Sequence, residues 1–177
     1  VGGYSVDEYM PDGPEGALSN EAFLLRPAEE SWLKLTPTGS PPTPRALHAA
    51  ALLTANAGDG EEHAGPLLRV CVFGGWGLQA VEATASARIA SARYMADLFL
   101  LTFDPAVEGA CGWTQLRPSG VAPTPRAGAA AVATTDGGVL IFGGHDDQGA
   151  VSTDCLELCA LPGKAMRFAE SEANGRC

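Results

Sequence analysis

Aromatic side chains are scarce, at 7% of 177 residues, so each one is expected to hold a fixed packing role. Long apolar runs are missing too. The longest fall far short of the roughly 20 residues that span a membrane, and no membrane association is expected. Basic residues are outnumbered: 11 Lys and Arg against 21 Asp and Glu give a formal charge of −10. A surface of that sign repels phosphate backbones and argues against nucleic-acid binding. The acids are scattered, with no run long enough to read as a disordered tail, so they are expected to form a solvated surface. Cysteine occurs at Cys71, Cys111, Cys155, Cys159 and Cys177 only. An odd count with irregular spacing gives neither a disulfide framework nor a paired zinc site. Cys155 and Cys159 would share a strand face roughly 13 Å apart, too far to bridge, and read as small apolar residues. No Gly-rich phosphate loop with its Lys and following helix occurs. An initiating Met is absent as well. Val1 already lies inside a recurring motif. The chain is therefore expected to be a piece of a longer product, and the lack of a signal peptide says nothing of compartment. A cytoplasmic location is the default expectation.

Glycine and proline are plentiful, 22 and 13, or 35 together, and the apolar fraction of 46% is rich in Ala. That balance predicts many short strands and turns instead of long helices. The strands belong to a repeat. SWLKLTPTGSPPTPR (31–45) matches GWTQLRPSGVAPTPR (112–126) at a constant offset of 81 residues. VCVFGGWG (70–77) matches VLIFGGHD (139–146), and the opening VGGYS (1–5) matches the end of the same element. DLFLLTF (97–103) is echoed by EAFLLRP (21–27) and DCLELCA (154–160). Each unit reads Pro-Arg, a small-residue strand, an apolar strand ending in Gly-Gly, a loop, an acid-led apolar strand, and a strand opening with Trp.

This ordered set resembles the kelch repeat over nearly the whole chain, although the unit is longer than the usual length of about 50 residues. The resemblance implies an all-β fold: a partial kelch-type β-propeller of four-stranded antiparallel blades, forming an open arc. Residues 1–40 would end a first blade, 41–121 make a complete second, and 122–177 make a third whose last strand, near 164–170, lacks the Trp. Phe168 is the expected substitute. Propellers need at least about four blades and kelch rings usually have about five to seven, so the remaining blades are expected from the missing parts of the chain.

Most repeat marks read as architecture. Gly2-Gly3, Gly74-Gly75 and Gly143-Gly144 let the backbone turn where a Cβ would clash. Trp32 and Trp113 would wedge between adjacent blades. Arg45 and Arg126 would cap carbonyls or pair with an acid in the crossover from blade to blade; a ligand-facing arginine is the weaker alternative. The Ala-rich inner strands suit crowding, and the second strands read as buried on both faces.

Function would sit on the loops after the second and fourth strands, which emerge on one face. Tyr4, Trp76 and His145 each follow a double glycine there, and rings at a rim are plausible anchors for a protein or peptide partner. The insertion 76–93 carries Arg88 and Arg93, which suit carboxylates of an acidic segment, and its Ala-rich middle suits a short helix. No catalytic constellation is visible, and neither a cofactor nor a metal is implied. His48 reads as a satisfied core or channel residue, and His145-Asp146-Asp147 as a solvated turn. The sequence is therefore read as a non-enzymatic interaction scaffold or adaptor. The alternative is a sector of a kelch-propeller enzyme, galactose-oxidase-like or nitrile-specifier-like, with its site in other blades.

Overall fold

A computed structural model describes residues 3–5, 17–53, 67–80, 90–105, 107, 109–160 and 166–170. It is nearly all β. The first unit holds β1 (Gly3–Ser5) paired with β2 (Ala17–Ser19), and β3 (Ala22–Arg26) paired with β4 (Ser31–Leu35), both antiparallel. Gly3 thus belongs to a hairpin strand, not to the end of a second strand; Gly2 lies outside the described residues. β5 (Thr38–Gly39) leaves this unit and lies parallel to the outer strand of the next.

The second unit contains β6 (Ala49–Leu53), β7 (Leu68–Phe73), β8 (Trp76–Ala80), β9 (Ala90–Tyr94), β10 (Leu98–Phe103) and β11 (Cys111–Leu116). Its sheet runs β5-β11-β10-β7-β6, while β8 and β9 form a separate hairpin. The third unit is reached through β12 (Ser119–Gly120) and continues as β13 (Ala130–Ala133), β14 (Val139–Phe142), β15 (Cys155–Ala160) and β16 (Met166–Glu170). Its sheet runs β12-β16-β15-β14-β13. Each of these two sheets is a four-stranded antiparallel meander, as the repeat implies, with a two-residue parallel strand added by the preceding crossover. β10 starts only at Leu98, because residues 90–94 pair back onto 76–80 instead of extending it.

The sheets stack face to face. Ala22 and Leu35 of the first unit pack on Val72, Phe99, Leu101 and Trp113 of the second. The opposite face of the second sheet, with Ala51, Leu53, Cys71, Phe73 and Leu98, packs on Val139, Ile141, Leu158 and Phe168 of the third. Burial in β7 therefore falls on both faces, with Cys71, Val72 and Phe73 all at 1% exposure or less. Phe168 occupies the register of Trp113 and is buried, which fulfils its expected substitution.

Three expectations need correction at the flanks. Trp113 is 5% exposed and meets Phe99 edge-on, but Trp32 is 67% exposed because no sheet among the described residues covers that side. The second strand of the third unit is buried on one face only: Ile141 is fully buried while Phe142 is 55% exposed. The inner strands are likewise crowded on one side, since Ala49, Ala51 and Leu53 are buried while Ala50 and Leu52 are exposed.

The double glycine is required by approach as well as by turning. Gly74 and Gly75 have φ of +64° and +94°, and a Cβ on either would stand 2.7 Å from a carbonyl oxygen, that of Arg126 or Ala46. Cys155 is a free thiol and does not bridge to Cys159. Cys159 is nevertheless disulfide-bonded, which corrects its reading as a simple apolar residue; its partner lies outside the described residues. No helix among the described residues is long and apolar enough to cross a membrane.

Candidate partner-binding surface

The two crossover arginines set the geometry of the rim. Arg45 is 1% exposed. Its Nη1 donates to the Gly74 carbonyl at 2.9 Å and to Asp97 Oδ1 at 2.6 Å, and its Nη2 donates to Asp97 Oδ2 at 3.0 Å. Nε and Nη2 also return to the carbonyl and hydroxyl of Thr43, and the guanidinium lies 5.5 Å from the Phe99 ring centroid. Arg126 repeats the pattern on Gly143, Asp154 and Thr124, with an added bond to Ser152 Oγ. A buried guanidinium is tolerable only when its donors are met this fully. Both guanidinium groups are thus taken up by carbonyls, threonine hydroxyls and a carboxylate of the chain itself. The hydrogen bond from Arg126 also holds the Asp154 carboxyl below its ordinary pKa.

This clamp fixes the double glycine against the crossover, and the loop after it carries the rings. Trp76 exchanges backbone hydrogen bonds with Ala46 at 2.9 and 3.0 Å, and His145 does the same with Ala127 at 3.0 and 2.9 Å. The two rings therefore occupy equivalent places on successive units. In the β8–β9 hairpin Trp76 stands opposite Tyr94. Tyr94 in turn meets His145 edge-on, with centroids 5.7 Å apart. The resulting row, Trp76–Tyr94–His145, crosses from the second unit to the third. Tyr94 was not singled out from sequence, because its partner in the pair lies across an insertion. Its signal was there in retrospect: a ring closing the same loop that Trp76 opens.

Two clefts open beside Tyr94, the middle ring of the row. One of about 400 Å³ is lined by Thr43, Arg93, Tyr94, Met95, Asp97 and Pro125. The other, about 350 Å³, runs between Arg93, Tyr94, Thr124, Pro125, Asp146 and Asp147. Loops after second strands and crossovers after fourth strands thus share one face. Arg93 reaches this face but is not a free charge, and the carboxylates opposite give the cleft both signs. Asp146 closes its own turn: Oδ1 accepts the backbone N–H of Gln148 at 2.9 Å and of Ala150 at 2.8 Å. Tyr4 lies in β1, with its backbone opposite Leu18. Arg88 lies outside the described residues, as does the Ala-rich middle of the insertion.

His48 departs from expectation. Its Nδ1 is buried without a hydrogen-bond partner. Burial, with the Arg45 cation nearby, pushes its pKa below the ordinary value of 6.5. Among the described residues no group of His, Cys, Asp and Glu is arranged to hold a metal ion.

No family model matches the chain. Among curated proteins it is 30% identical over 145 residues to acyl-CoA-binding domain-containing protein 5 of Arabidopsis thaliana. The match takes in 82% of this chain but only 18% of that protein. Among solved structures it is similar to YjhT, with a TM-score of 0.48 and 19% identity, over 79% of this chain and 34% of that one.

Proposed function

We propose that this chain is a sector of a kelch-type propeller that serves as a non-enzymatic protein-interaction scaffold, taking its partner on the face formed by the loops after second and fourth strands. The observation that carries the reading is the ring row Trp76–Tyr94–His145 beside two clefts of side-chain size. Aromatic residues at a rim desolvate large area at low entropic cost and are favoured anchors for peptides. The kelch assignment is supported by the ordered repeat and by the four-stranded sheets stacked on one another. The partner chemistry is that of a peptide with an apolar or aromatic anchor, since the cleft carries both signs of charge. Acyl-CoA binding stays with the name of the curated relative.

The test uses the longest natural form of the protein and a partner identified with it. Trp76→Ala and Tyr94→Ala should each weaken binding about 10- to 30-fold, or roughly 1.4–2 kcal/mol. Val107→Ala, in the turn between β10 and β11, should leave binding unchanged. Equal loss from all three, or none from the two aromatic variants, would sink the reading.

A further inference from the structure

We infer that Leu47 is a further anchor of the partner surface, seating an aliphatic side chain of a basic peptide against itself and Trp76 at the inner end of the ring row. The inference rests on the loop-face reading above and names the partner chemistry of that face. It starts from a strain that packing does not offset. Leu47 has a φ of +53°. Its counterpart 81 residues on is Gly128, at +68°. Each crossover thus enters its inner strand through a left-handed residue, a conformation that glycine adopts freely and leucine does not. Among the described residues one other non-glycine has positive φ, Glu30, which is exposed and ends a 3-10 turn. Leu47 is therefore the one apolar side chain held there, and it is 56% exposed. Its carbonyl accepts from Gly128 N–H at 2.8 Å, but any residue supplies that carbonyl. Strain at an exposed side chain with no packing role points to function.

The third unit shows what lies next to this position. A Cβ added to Gly128 would stand 3.4 Å from Cε1 and Nδ1 of the His145 ring. His145 holds on Ala127 the place that Trp76 holds on Ala46, through the same pair of backbone hydrogen bonds. In the second unit that Cβ exists and the ring is Trp76, so the equivalent geometry sets Leu47 beside the half-buried indole. Trp76 in turn stands opposite Tyr94. The second unit thus offers an aliphatic group and two rings in sequence. The third unit has glycine at the same place, and Asp147, two residues after its ring, is exposed. One side of the face is apolar and the other polar, which orients a peptide laid across it. The formal charge of −10 favours a partner of positive charge. The occupant that fits is a basic peptide whose aliphatic residue seats over the second unit.

The experiment has two arms on the longest natural form of the protein. In the first, Leu47→Gly should hold the Tm within about 2 degrees or raise it, since glycine suits the left-handed backbone. A fall beyond about 5 degrees would make Leu47 a packing residue and overturn the inference. In the second arm the probe is a set of dodecapeptides selected from a random phage-displayed library on the unsubstituted protein. They should share an aliphatic residue and a net positive charge. By fluorescence polarisation Leu47→Gly should weaken them about 10-fold, and Leu47→Met, which keeps the apolar bulk, about 2-fold or less. Affinity unchanged by Leu47→Gly but lost in Trp76→Ala overturns this inference and leaves the loop-face reading standing. Peptides insensitive to both substitutions, or no peptide selected, overturn both.

Discussion

Arg45 and Arg126 keep full charges at 1% and 3% exposure because carbonyls, threonine hydroxyls and a bidentate carboxylate meet their donors. Truncating Arg45 to Ala would leave the Gly74 carbonyl and Asp97 without their partner. The expected loss is about 3 kcal/mol, read from urea unfolding; Asp97→Asn should cost less, since that side chain is 30% exposed. His48 supplies a pH dependence. Its native pKa is lowered, so below the ordinary value of 6.5 the unfolded chain takes up a proton that the native chain refuses. Stability should therefore fall between pH 7 and 5, and His48→Gln should flatten that slope in a Tm series. Asp154 acts in a separate window. Its depressed pKa gives stability that is lost only as pH falls below the ordinary 3.8. That the arginines meet carbonyls and an acid was legible in their place at the start of each unit. Which acid each meets was not, because Asp97 lies 52 residues from Arg45 and only the antiparallel register brings them together.

At the scale of elements, equivalent strands have unequal worth because their neighbours differ. Trp113 and Trp32 hold the same register opposite Leu101 and Leu25. Trp113 is packed between sheets and Trp32 is not, so Trp113→Ala should cost about 3–4 kcal/mol and Trp32→Ala under about 1 kcal/mol. Thermal or denaturant melts of the two variants decide this, and similar losses would refute it. The β-strands themselves were readable from apolar runs and glycine punctuation. The hairpin β8–β9 was not, because Gly, Gln and Ala carry no alternation, and its pairing follows from Trp76 being pinned to Ala46. The two-residue strands β5 and β12 were equally silent, since two residues have no period.

The whole molecule exposes an apolar flank on each side: Phe23, Leu25 and Trp32 on the first unit, Val132 and Phe142 on the third. Faces of this kind associate in water despite a net charge of −10. The chain alone should aggregate with rising concentration. Phe23→Asp combined with Phe142→Asp should suppress this in sedimentation velocity. A cooperative melt of a monomer at high concentration, with no substitution, would contradict the expectation.

The sequence alone determined the repeat, the order of strands within it and the residue types that mark each turn. These depend on local chemistry: glycine where a Cβ would strike a carbonyl, proline where the crossover is extended, and continuous apolar runs where a strand lies between two sheets. Tertiary structure decided which identical marks are buried and which are bare. It also decided which acid meets which arginine, and that Tyr94 joins Trp76 and His145 in one row. Burial and pairing are properties of neighbours, and a neighbour 50 or more residues away leaves no trace in a local pattern.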